Sequence, residues 1–216
     1  MTTGAARHSI VERVVGIVLL DRSMIQEIKD DPAALKQAAI VVIAVPLIYR
    51  LNPWSNFDER SILVAGDTLE IYTYGGTLGW TLGIALGSVA LAHLAWVLSA
   101  LVFRFVAVRL LGSPSGGTTW AELARPLGFT SAIYILGLGT GIPVIGLLVS
   151  IVLPIWTAAM EVVILSQIFQ ISKLRALATV TVTWIVALIF LVVLIWMLVS
   201  QVGRPVERLI PMTPPG

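Results

Sequence analysis

Long uncharged stretches constrain this chain more than any motif does. Residues 71–103 and 176–203 carry no Asp, Glu, Lys or Arg, and Glu161 alone interrupts 126–172. About twenty consecutive apolar residues cross the hydrocarbon core of a bilayer. The first and last stretches therefore each hold one crossing, and the middle one holds two. A shorter candidate, "AALKQAAIVVIAVPLIYRL" at 33–51, crosses if Lys36 snorkels to the headgroups. With 57% hydrophobic and 12% charged residues, the chain carries about half the charge of a soluble domain. The sequence thus predicts an all-α, polytopic membrane helix bundle of five spans, at about 33–51, 78–102, 127–142, 144–166 and 177–200.

Positive charge orients the bundle. With the N-terminus inside, the inner segments hold ten Lys and Arg residues and the outer segments four, namely Arg50, Arg60, Arg204 and Arg208. Cytoplasmic loops carry such an excess. The expectation is an inner-membrane protein with a cytoplasmic N-terminus and an external C-terminus. Ahead of the first span, residues 8–31 read as one amphipathic interfacial helix, with Ile10, Val14, Ile17, Met24 and Ile28 at helical spacing and Pro32 ending it. This makes 1–32 a cytoplasmic arm, 33–202 the transmembrane bundle and 203–216 a proline-rich tail. The start has no cleavable leader pattern, because "VVGIVLL" is followed by Asp21 and Arg22.

The glycine-rich "ILGLGTGIPVIG" does not fit a dinucleotide fingerprint, whose third glycine would fall at Ile142 or Val144, and no phosphate-binding lysine follows it. Gly137, Gly139, Gly141 and Pro143 instead mark a tight hairpin turn between the third and fourth spans. In the second span, Gly75, Gly79, Gly83 and Gly87 recur every four residues. Such a stripe lets another helix approach closely, within the bundle or between copies. The alternative is a pore-lining or ligand-facing role.

Two ionisable groups lie within the spans. His93 stands eleven residues from Arg104, about mid-membrane at 1.5 Å per residue. It is a proton-relay or ligand candidate, or a neutral imidazole bonded to a neighbouring helix. Glu161 lies closer to the inner surface, where an ion pair with Arg104, Arg109 or Arg125 is expected and ion coupling is the alternative. No zinc or haem donor set, no H-E-x-x-H, no G-x-S-x-G and no cysteine occurs. The chain reads as non-catalytic and free of cofactor and metal, with no nucleic-acid partner given a net charge of +2. Its expected partners are the lipid bilayer and other membrane subunits or a second copy. The competing reading is a small transporter or channel, or a lipid or quinone binder using His93 and Glu161.

Two segments carry a family resemblance. "RVVGIVLLDRSMIQEIKDDPAAL" and "LARPLGFTSAIYILGLGTGIPVIGLLVSIVLPIWTAAMEVVILSQIFQISKLRALATV" resemble bacterial members of the Yip family, named for Ypt/Rab-GTPase-interacting proteins. The resemblance implies five spans and a cytosolic N-terminus, and its eukaryotic members are implicated in GTPase recruitment and vesicle traffic. In "GFTSA", Gly128 matches the family's Gly-Tyr-x-x-Pro motif, Phe129 stands for the tyrosine and Ala132 for the proline. The Asp-Leu-x-Gly-Pro motif of the eukaryotic arm is not present, since Asp21 is followed by Arg22 and Ser23.

Overall fold

The computed structural model describes residues 8–51, 60–65, 68–73, 78–110, 112, 117–141 and 143–202. The arm forms two helices, not the single helix expected over 8–31. Helix α1 (Ile10–Val18) starts at a capping box, in which Ser9 Oγ accepts from the Glu12 N–H and the Glu12 carboxylate accepts from the Ser9 N–H. It ends where Leu20 takes the left-handed conformation, φ 60°. The Asp21 N–H then bonds Gly16 O and the Leu20 N–H bonds Ile17 O, closing the last turn. Asp21 at once caps α2 (Arg22–Asp30) by accepting from the Ser23 and Met24 amides. The two helices touch where Gly16 meets Met24, whose Cγ lies 2.5 Å from where a Cβ on Gly16 would sit.

Both caps are carboxylates held in the charged form. The Ser9 N–H lowers the Glu12 pKa below the ordinary value, and the Ser23 hydroxyl and N–H do the same for Asp21. A depressed carboxylate pKa stabilises the fold at higher pH and loses that contribution as pH falls through the folded value. Amide exchange at Ser9, Glu12, Ser23 and Met24, corrected for intrinsic rates, is therefore expected to stay flat down to about pH 4 and to rise below it. A rise already in the neutral range would mean that something other than the caps holds these ends.

After a bend of 110° at Asp31–Ala33, α3 runs over Ala34–Leu51. A two-stranded antiparallel ribbon follows, β1 (Arg60–Ala65) and β2 (Thr68–Thr73), with Arg60 opposite Thr73 and Ala65 opposite Thr68. Among the described residues this ribbon is the one departure from an otherwise all-α architecture. Helix α4 (Leu78–Phe105) widens into a π-helical turn, Val106–Leu110. Helix α5 (Trp120–Thr130) opens on a second capping box, Thr119 with Glu122, and passes directly into a 3-10 helix, Ser131–Gly141. Helices α6 (Pro143–Ile168) and α7 (Lys173–Val202) complete the chain, with Pro143 at the first helical position, where its missing N–H costs nothing.

Three helical stretches are long and apolar enough to cross a membrane: Leu82–Arg109, Val144–Ile168 and Lys173–Leu194. The bent pair α2–α3 adds a fourth if it counts as one span. That is fewer than the five regular crossings expected, for two physical reasons. The 33–51 segment has Lys36 and Arg50 near its ends, which leaves a short apolar middle. The 127–142 segment is not one α-helix, since most of it is 3-10 helix. That geometry rises about 2.0 Å per residue, so its 11 residues cover about 22 Å where an α-helix would cover about 16 Å.

The packed core lies at one end of the bundle. Phe103, Leu123, Phe129, Met160, Ile164 and Phe169 are all fully buried there, with Ile17, Ile25 and Ile28 of the arm closing the same cluster. Helix α5 is its centre and touches α1, α2, α3, α4 and α6. Towards the other end the helices face outward, and from Trp184 to Leu194 every residue of α7 is exposed.

Candidate functional site

A cavity of about 590 Å³ lies between α3, α4, the α5/3-10 segment and α6. Its wall mixes aromatic and polar groups, among them Tyr49, Trp96, Thr130, Tyr134, Thr157 and Glu161. Local geometry satisfies several of them. Thr130 Oγ1 donates to Leu127 O at 2.7 Å and Thr157 Oγ1 to Leu153 O at 2.9 Å, each within its own chain segment. Trp96 Nε1 donates to Ala124 O at 2.9 Å and ties α4 to α5. The Thr130 and Thr157 hydroxyl protons are therefore spent on backbone carbonyls, which leaves their lone pairs for a guest.

Glu161 lines this cavity, but it makes none of the expected ion pairs. Its Oε2 accepts from Trp184 Nε1 of α7 at 2.9 Å. Two of the three arginines proposed as partners bond elsewhere: Arg104 Nε donates to Thr118 O at 2.8 Å, and an Arg125 guanidinium N–H donates to Lys29 O at the end of α2. Carbonyls at a helix C-terminus attract cations, which accounts for the second choice.

His93 does not join Glu161. It is not part of the cavity lining. Its Nδ1 pairs with Val89 O at 3.1 Å, one turn back on α4, and its ring meets Trp96 edge-on at 6.0 Å. A carbonyl only accepts, so this nitrogen carries the proton and is satisfied within its own helix, while Nε2 keeps its lone pair. His93→Ala is accordingly expected to leave the folded yield and thermal midpoint near wild type, read by size-exclusion and thermal unfolding in detergent. A loss as large as that of a core truncation would give His93 a role that its contacts do not show. Among the described residues, no three His, Cys, Asp or Glu side chains gather as a metal site.

The glycine stripe does not pack within the bundle. Gly83 and Gly87 are exposed, and a Cβ built on either meets nothing within 4 Å. Gly79 lies on the same helix, and Gly75 falls outside the described residues. The glycines of "GLGTG" do not form the turn expected of them. Gly137, Gly139 and Gly141 all lie inside the 3-10 helix, and α6 begins at Pro143. Gly137 is buried, but a side chain there would meet Tyr49 at 3.6 Å and Leu153 at 3.9 Å, ordinary contact distances.

The close approach that glycine does make possible is at Gly128. A Cβ there would lie 2.6 Å from Ala38 Cβ and 3.2 Å from the Trp96 ring, so α3, α4 and α5 converge on this residue. Its neighbour Phe129 is fully buried. Sequence reasoning singled out both residues only through the family motif.

It missed Arg13 altogether. This guanidinium is fully buried and donates to Gln37 Oε1 at 2.7 Å, Asp31 Oδ2 at 2.7 Å and Glu27 Oε1 at 3.0 Å, joining α1 to α2 and α3. His8 adds a contact to the other Glu27 oxygen. Trp156 Nε1 donates to Val18 O at 3.0 Å and Gln167 Nε2 to Arg22 O at 2.6 Å, so α6 grips the backbone of both arm helices. Flanked by Glu12 and Val14 in a short helix, this arginine gave no periodic cue to the role. The arm is a fixed cap on the bundle.

Compared with known proteins, the chain matches no family model, no curated protein and no solved structure.

Proposed function

We propose that this chain is a non-catalytic integral membrane protein that assembles with other membrane helices, from a partner subunit or a second copy, through the outward face of α4. One observation carries the reading: Gly83 and Gly87 face away from the bundle with open space where side chains would begin. Lipid fills such a notch poorly, whereas a second helix gains close backbone contact there. The proposed layout is Yip-like, with the α5/3-10 run and α3 counted as passes to give five, the N-terminus in the cytoplasm and the inner membrane as location. The contour length of α5 plus the 3-10 helix, about 38 Å against a hydrocarbon core of about 30 Å, supports counting that run. The excess of Lys and Arg in the arm and the α4–α5 and α6–α7 connections supports the orientation.

The chain has no cysteine, which makes a direct test simple. Gly83→Cys and Gly87→Cys, treated in native membranes with a short bis-maleimide, are expected to give a discrete higher-mass species. Gly83→Leu with Gly87→Leu should remove the corresponding complex from native gels while the single chain stays folded. Monomer alone at both cysteine positions would sink the reading.

The cavity favours a second reading, a small transporter or a lipid or quinone binder in which Glu161 is the polar group. Under it, Glu161→Gln changes uptake or ligand retention in proteoliposomes and leaves the α4 crosslink intact.

A further inference from the structure

A second concavity lies outside the bundle, on the seam between α6 and α7. It measures about 630 Å³, and its lining is apolar apart from one end. Ala158 and Val162 form the floor on α6, Pro154 closes one side, and Leu177 stands along the wall on α7. Trp184 lies at the deep end and Lys173 at the other. Trp184 is held in place by its bond to Glu161, so that end is a fixed wall.

The charge lies entirely at one end. Lys173 makes no ion pair among the described residues. Arg175 is exposed two residues further on. Both stand in the first turn of α7, where Ser172 Oγ accepts only the Arg175 amide, at 3.4 Å. The remaining amides of that turn, the helix dipole and the Lys173 ammonium favour an anion at this mouth, while Arg175, outside the lining, adds only to the positive charge of the same helix end. From Lys173 to Trp184 is eleven residues, about 16 Å of helix, which matches half of a hydrocarbon core about 30 Å thick. An apolar channel as long as one leaflet is deep, with a cation only at its mouth, has the shape and charge of a phospholipid on its side.

We propose that the α6–α7 groove binds an anionic phospholipid, with one acyl chain lying along Ala158, Val162 and Leu177 and the phosphate held at Lys173. The occupant is a lipid and not a free anion because most of the concavity is apolar and runs at membrane depth. It is an anionic lipid and not any annular one because the mouth offers a cation and amides and no carboxylate. This site is independent of assembly through α4, which uses another helix.

The full chain, extracted in mild detergent and exchanged into nanodiscs holding equal phosphatidylglycerol and phosphatidylcholine of the same chain length, would be released for native mass spectrometry. Phosphatidylglycerol adducts are expected to exceed phosphatidylcholine adducts by about five-fold or more, the preference of a single basic residue near an anionic headgroup. Lys173→Glu should abolish that preference. Lys173 is exposed on the rim, so this variant tests binding without testing the fold. Ala158→Phe, which fills the channel and leaves the charges alone, should lower retention of both lipids. Equal retention of the two lipids by the unaltered chain, or an undiminished preference in Lys173→Glu, would overturn the proposal.

Discussion

Gly128→Leu is expected to leave little or no folded bundle, seen as loss of the monodisperse peak in size-exclusion of the detergent extract. The smallest side chain shows why. The β-carbon of an alanine at 128 would sit 2.6 Å from Ala38 Cβ. That methyl has no rotamer through which to retreat, so one backbone must move. Overpacking of this kind costs about 1–3 kcal/mol for small insertions, and leucine adds three more carbons between Ala38 and Trp96. Against a total stability of about 5–15 kcal/mol, the larger variant exceeds what the core can absorb. The mechanism has its own check. Gly128→Ala combined with Ala38→Gly removes one methyl where it adds the other, and should recover most of the lost thermal midpoint. Gly83→Leu, with nothing within 4 Å, should cost the isolated chain almost nothing. An unperturbed Gly128→Leu would mean that α3 and α5 do not approach as described.

Arg13→Ala should release the arm. The change takes the guanidinium away from Glu27 and Asp31 and removes the Arg13 donor from Gln37 Oε1. Removing one partner from a buried ionic network costs about 3–5 kcal/mol. Since Glu27 is one-third exposed while Arg13 is almost wholly covered, the lower figure is expected. The readout is trypsin, which cuts after Arg22 and Lys29. Both bonds should become accessible in the variant while the fragment from α3 onward stays protected. Arg13→Lys should behave nearly as badly, because a single ammonium cannot serve three acceptors arranged around a planar fork. Resistance equal to that of the native chain would show that Trp156 and Gln167 suffice to hold the arm.

Helices α4, α6 and α7 were legible in the sequence because a charge-free run reports directly on bilayer solvation, and α3 because Lys36 and Arg50 bracket its apolar centre. The break in the arm was not, because the residue that takes positive φ is Leu20, a residue that ordinarily avoids it. The ribbon had a local cue, two short runs rich in β-branched and aliphatic residues on either side of Gly66-Asp67, but it lay in a segment read only as a connection. Glu161 shows the limit for the candidate site. Depth predicted that it needs a partner but not which one: Trp184 takes the carboxylate, while Arg104 bonds Thr118 O and Arg125 bonds Lys29 O across 96 residues of chain. The outward glycines show the converse: periodicity identified the stripe but not the side of the bundle it faces.

Helix α7 rests mainly on α6, with slight contact to α4, and its outer half touches almost nothing of its own chain. Most of what surrounds it is whatever fills the membrane. For this helix the solvent is a structural component, and its attachment varies with the fluid around it. As lipid is stripped away, the chain should come apart from its C-terminal end, while α5 and the capped end beneath the arm keep their order longest.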